Sequence, residues 1–305
     1  MKLQEQRIGN DRWKTLPGSY GKDFAFYEAY IAGAQDNRLL VWQQDELVAE
    51  VYSPGTRSGF PRWAGGVIFW ADGWMDPVSG EYNRISAMEQ HLTGPAIAIP
   101  ASMQGRYTPL TYVWSPDAAW VLVSLCWTGG GTPLPPLLRT LNRDGTRRVD
   151  LSLVPDSPSQ VAWVAKEWIA LGTREPAICN PAGQVERTLT GNLPPRGMET
   201  DAKENRLLVH GYDRIAVWDT RDWSLVDILP GSWIDAALAP SGDLLLAVDF
   251  DGNIHCAAIT GKKIETVKKM IPSDPVTAIS ISENLVVASF AMGNPVRVTA
   301  IGNII

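Results

Sequence analysis

Two consecutive copies of one unit, in residues 195–270, constrain this chain more than any other feature. In the first, GMETDA (197–202) is followed by NRLLVHG (205–211), the turn Tyr212-Asp213, RIAVWD (214–219) and SLVDIL (224–229). In the second, IDAALA (234–239) is followed by DLLLAVDF (243–250), the turn Asp251-Gly252-Asn253, IHCAAI (254–259) and KIETV (263–267). Four short strands recurring at roughly 40 residues are the signature of a propeller blade, a unit that buries its faces only against neighbouring copies. The chain is therefore predicted to be all-β.

Weaker copies account for the rest. FAFYEAYIAGA (24–34), RLLVWQQ (38–44) and LVAEVY (47–52) make a first unit, closed by the loop SPGTRSGFP (53–61). RWAGGVIFWADG (62–73), RISAMEQH (84–91) and AIAIPASM (96–103) make a second. TYVWSPDAAWVLVSLCW (111–127) and LLRTLNRDGTRRVDLSLV (137–154) make a third, and QVAWVA, WIALGT, AICNP and VERTL (160–189) a fourth. Apolar anchors of the second strand recur at Trp120, Trp168, Leu207, Leu245 and Leu285. Their spacing stays near 40 residues except where the Gly/Pro loop 128–136 is inserted. The expected architecture is one domain, residues 1–305, a seven-bladed β-propeller of four-stranded antiparallel blades. The last unit, VTAISIS, NLVVASF and VRVTAI (276–301), lacks a fourth strand. Leu3–Ile8 is predicted to supply it beside Val296–Ile301, so that the N-terminal strand closes the ring and removes an open edge. WKTL (13–16) is a further short strand candidate.

The totals narrow the class. Apolar runs of a few residues fall far short of the 20 or so that a membrane-spanning helix needs, so no membrane partner is expected. MKLQEQRIGNDRW carries no apolar signal-peptide core. The three Cys (Cys126, Cys179, Cys256) are isolated in apolar runs, which suggests neither a disulfide framework nor a zinc site and fits a cytoplasmic location. A net charge of −6 argues against nucleic acid as a main partner, because phosphate binding needs a basic field.

The fifth and sixth units resemble WD-repeat propellers. Val217-Trp218-Asp219 ends the third strand of its unit as in that family. Leu238-Ala239-Pro240-Ser241-Gly242-Asp243 is similar to the family's turn between first and second strands, and Ser115-Pro116-Asp117 repeats it. Asp251-Gly252-Asn253-Ile254 is similar to the turn between second and third strands. The Gly-His pair that precedes each family repeat is absent, and only one unit carries Trp-Asp, so the family's hydrogen-bonded tetrad is complete in no blade. The resemblance implies a degenerate WD-repeat-like propeller: a rigid platform for protein partners, without catalysis.

The residue types that carry catalysis or bind metals are scattered. His91, His210 and His255 have no second ligand at metal spacing, and the latter two read as packed strand residues. Asp249-Phe250-Asp251-Gly252-Asn253 starts like a calcium loop, but its twelfth position is Thr260 rather than Glu; Asp-Gly suits a hairpin turn instead. Gly129-Gly130-Gly131-Thr132 has no following Lys-Ser or Lys-Thr. No cofactor and no metal are expected. Glu28, Glu199 and Asp235 fall on or near innermost strands, which leaves open a second reading: a propeller hydrolase or lyase with a site at the central channel mouth.

Trp114, Trp120, Trp163 and Trp168 read as core between blades. The two long loops 74–82 and 128–136 both join second to third strands, in neighbouring blades, and so are expected side by side on one face. Trp74, Met75, Tyr82, Trp127 and Leu134 in and beside them are the candidate partner-binding residues, with Trp74 as anchor. The function expected is a non-enzymatic, monomeric scaffold for a protein partner, for instance an adaptor in a bacterial multi-component system, although no residue specifies the partner.

Overall fold

A computed structural model describes residues 4–18, 24–27, 29–35, 38–52, 57–64, 67–73, 84–88, 97–100, 107–115, 119–127, 137–142, 148–151, 160–164, 168–171, 176–180, 184–189, 195–291 and 296–304. Its strands follow in chain order. β1 (Gln4–Ile8) and β2 (Lys14–Thr15) precede a first sheet of β3 (Phe24–Tyr27), β4 (Tyr30–Gln35), β5 (Arg38–Gln43) and β6 (Glu46–Tyr52). The second sheet is β7 (Arg57–Ala64), β8 (Val67–Gly73), β9 (Arg84–Met88) and β10 (Ile97–Pro100). The third is β11 (Tyr107–Trp114), β12 (Trp120–Trp127), β13 (Leu137–Asn142) and β14 (Arg148–Leu151). The fourth is β15 (Val161–Val164), β16 (Trp168–Leu171), β17 (Ala177–Cys179) and β18 (Val185–Thr188). The fifth is β19 (Gly197–Thr200), β20 (Arg206–His210), β21 (Arg214–Asp219) and β22 (Ser224–Pro230). The sixth is β23 (Trp233–Leu238), β24 (Leu244–Asp249), β25 (Ile254–Thr260) and β26 (Lys263–Pro272), and the last is β27 (Val276–Ile281), β28 (Leu285–Phe290) and β29 (Arg297–Ala300). Among the described residues these form seven separate sheets, each built on an antiparallel meander. The first strand of each lies against the first strand of the next, and β27 lies against β3.

The burial pattern explains the sequence pattern. In β20, β21, β24 and β28 the interior residues are buried on both faces, so these strands read as continuous apolar runs rather than alternating ones. Outermost strands are wetter: β18 is exposed along its length and β6 nearly so. The core is not one mass but a series of seams between neighbouring sheets. Leu208, Ile215 and Val217 of the fifth sheet meet Leu245, Ala247 and Ala257 of the sixth. Ile31, Leu40 and Trp42 of the first meet Val287, Val296 and Val298 of the last. Each fully buried aliphatic side chain contributes about 1.5–3 kcal/mol.

Carboxylates stitch the same seams. Asp235 on β23 accepts from the Ile279 N–H on β27 at 2.9 Å, and Glu199 on β19 accepts from the Leu238 N–H on β23 at 3.1 Å. On the outside, Asp227 on β22 accepts from the Ile264 N–H on β26 at 2.9 Å. Two glycines allow the turns to crowd. Gly252 has φ +79°, and a Cβ there would meet the Pro275 Cα at 2.6 Å. Gly242 has φ +77° and lies under the Asp201 carboxylate.

Three sequence expectations are corrected. FAFYEAYIAGA is not one strand but the hairpin β3–β4, with Tyr27 opposite Tyr30; this supplies the fourth strand of the first sheet. The presumed loop 53–61 is shorter, because β7 starts at Arg57 and tolerates Pro61 at a register shift between Gly59 and Arg62, where a missing N–H breaks no ladder bond. The third correction concerns the N-terminal strand. Gln4–Ile8 does not pair beside Val296–Ile301. It runs parallel to β26 as a fifth strand of the sixth sheet, Gln4 opposite Lys268 and Ile8 opposite Pro272. The strand beside β29 is β2, with Lys14 opposite Val298. Buried apolar residues decide this: Ile8 and Trp13 both enter the seam between the sixth and last sheets, and Leu16, bonded through its N–H to the Val296 carbonyl, is drawn into the next seam.

Candidate partner-binding face

A cavity of about 1460 Å³ runs between the first strands, from Phe24 on β3 round to Ile279 on β27. Glu199, Asp235, His210 and Arg196 line it, and the first two carboxylates lie on the first strands of their sheets, β19 and β23, as read from the sequence. Each, however, has an oxygen committed to a backbone N–H of the next sheet, as described above. Glu28 lies outside the described residues. His210, at the end of β20, is 4% exposed and packs over Gly197, where a Cβ would meet its Nε2 at 2.1 Å. Burial, and secondarily the charge of Arg196, push its pKa down to about 4; the Asp235 carboxylate oxygen 3.4 Å from Nε2 does not offset this. The ring is neutral at pH 7. Among the described residues no group of three His, Cys, Asp or Glu gathers as a metal site.

The exposed aromatic chemistry lies at the rim. Tyr212 and Phe250 are 58% and 55% exposed, yet their rings stack on each other at 6.2 Å between centroids, 17° from parallel. Each sits in the turn between second and third strands of its sheet, in the fifth and sixth sheets. The turns are held firmly. At the first, the Gly211 N–H bonds the Arg214 carbonyl, and the Trp233 N–H bonds the Tyr212 carbonyl at 2.9 Å. At the second, Asp249 accepts from the backbone N–H groups of Asp251 and Asn253 and lies 2.8 Å from His255 Nε2. Burial opposes ionisation of Asp249, but the bonds from His255 and Asn253 prevail and hold its carboxyl below the usual range. Trp233 meets the His255 ring edge-on at 5.1 Å. Arg196 lies over the Tyr212 ring, its Cζ 4.3 Å from the centroid. Two exposed rings, on turns held by hydrogen bonds, form a preorganised apolar step.

The residues expected at the partner site are placed differently. Trp74, Met75, Tyr82 and Leu134 lie outside the described residues. Trp127 does not begin a loop; it is the last residue of β12, paired with Tyr107. The connections that carry or adjoin them, β8 to β9 and β12 to β13, are nonetheless second-to-third connections like those carrying Tyr212 and Phe250. Sequence reading missed Tyr212, Phe250 and Arg196. Aligning the two copies puts an aromatic in the same turn of each, but only the packed sheets show that both rings are exposed and stacked.

Neither a protein-family model nor a curated protein sequence matches the chain. Among solved structures, the β-propeller domain of Cps50 (Swd1) from Myceliophteria thermophila is similar in fold, with a TM-score of 0.70 at 12% identity, over 93% of this chain and 97% of that one. The chain therefore has a β-propeller fold.

Proposed function

We propose that this protein is a non-catalytic scaffold, a closed ring of seven blades, that holds a protein partner on the face bearing Tyr212 and Phe250. The observation that carries the reading is the stacked, exposed Tyr212–Phe250 pair. Aromatic side chains that are both exposed and preorganised lose little entropy on binding and dominate interface energies. The closed ring is supported by the packing of Ile31, Leu40 and Trp42 against Val287 and Val298, across the first and last sheets. A rigid ring presents turns from several blades at fixed separations, which suits docking. Trp74, Met75, Tyr82, Trp127 and Leu134 belong to the same proposal as a second contact region, because connections of one class leave a propeller on one face.

The test is quantitative partner recovery from the native cell with the wild type and a Tyr212→Ala/Phe250→Ala double variant. The double variant should melt within a few degrees of the wild type and lose its main partner by at least about tenfold, the ~1.4 kcal/mol or more expected of an aromatic anchor. Undiminished recovery by the folded double variant would refute the assignment.

A further inference from the structure

The aromatic step has a charge beside it that is not spent. Arg196 is exposed, donates to the Ile234 carbonyl at 3.3 Å and lies over Tyr212. Among the described residues no carboxylate pairs with it. Three nearby described cations are paired: Arg214 meets Asp213 at 2.6 Å, Arg297 meets Asp274 at 3.0 Å, and Lys269 lies 3.5 Å from Asp249. An exposed guanidinium held by one carbonyl and one ring has further N–H groups in a planar fork, the geometry that suits a carboxylate.

We propose that the partner docks through an extended peptide segment in which an Asp or Glu adjoins an aromatic residue or proline. The apolar ring lies on Phe250 and Tyr212 while the carboxylate meets Arg196. This rests on the reading of Tyr212 and Phe250 as the binding step and adds the chemistry of what binds there. The Coulomb gain at an exposed rim is modest and screened by salt, so the arginine selects among apolar segments and the rings supply most of the affinity. A basic segment would place like charge on Arg196 and is disfavoured.

The experiment is selection from a random peptide display library on the intact protein, followed by anisotropy titrations of synthetic winners against wild type, Arg196→Ala, Arg196→Glu and Phe250→Ala. Winners should carry an acidic residue next to an aromatic or proline. Arg196→Ala should weaken them about fivefold to tenfold, and Arg196→Glu more. Changing the peptide's Asp to Asn should weaken wild-type binding but leave Arg196→Ala binding unaltered, which ties the two charges together. Phe250→Ala should abolish binding. Winners that need Phe250 but carry no acidic residue, or that bind Arg196→Ala as tightly as the wild type, overturn the charge assignment and leave the aromatic reading standing. If no winner depends on Phe250 or Tyr212, both fall.

Discussion

His210 makes folding sensitive to acid. Its pKa is about 4 in the folded chain against an ordinary 6.5, so the unfolded chain takes the proton first. The stability tied to the neutral ring is complete above pH 6.5 and is lost as pH falls through 4. The shift corresponds to roughly 3 kcal/mol. Urea unfolding at pH 7 and pH 5 should show most of that loss, and His210→Gln should flatten the difference; equal slopes in both proteins would contradict it. Arg196→Ala should raise the His210 pKa, because its charge is removed, and NMR titration of the ring would show it. Gly197→Ala is a second probe. The new Cβ would fall on the His210 ring, which is hemmed in, so a loss of about 1–3 kcal/mol in thermal unfolding is expected from overpacking. The sequence showed His210 as a packed strand residue. That its partner would be Gly197 required the register of β19 on β20, which no local pattern fixes.

At the level of elements, the seams depend on polar groups as well as apolar ones. Asp235→Ala leaves the Ile279 N–H without its acceptor in a half-buried site, and should cost about 1–3 kcal/mol without loosening the sixth sheet itself. Amide exchange at Ile279 should accelerate more than at Leu246; uniform protection would argue against a role for the carboxylate. The strands of the fifth and sixth sheets were legible in the sequence because runs such as LLLAV, bounded by Gly and Asp turns, have few alternatives. Their aromatic turn residues were overlooked because a single exposed ring signals nothing; the pairing of Tyr212 with Phe250 exists only once neighbouring sheets are packed. The N-terminal strand was misplaced for a similar reason. Strand counting showed a vacancy in the last sheet and offered Leu3–Ile8 first, whereas burial of Ile8, Trp13 and Leu16 selects the pairing that forms. Truncation separates the contributions. Removing residues 1–8 loses chiefly Ile8 and should lower stability by about 2–3 kcal/mol. Removing residues 1–16 also takes Trp13, Leu16 and β2, and should abolish cooperative melting by calorimetry.

For the whole molecule, binding on one face predicts that function and stability separate. Substitutions at Tyr212, Phe250 and Arg196 should alter partner affinity and leave the melting temperature nearly unchanged, whereas Asp235, Gly197 and Ile8 should do the reverse. Trp74→Ala offers a further check: a fully folded variant with partner affinity lowered by about 2 kcal/mol would extend the binding face to the second blade. The parallel pairing of β1 with β26 has a consequence for how the chain is made. The segment that closes the seam between the sixth and last sheets is synthesised before its docking strand, which follows roughly 250 residues later, a separation that slows folding by the cost of bringing distant segments together. At bacterial or eukaryotic synthesis rates of about 5–20 residues per second, Gln4–Ile8 waits on the order of ten seconds or more as an unpaired strand. Chaperone binding during translation should therefore concentrate on that early interval and end when Lys263–Pro272 emerges.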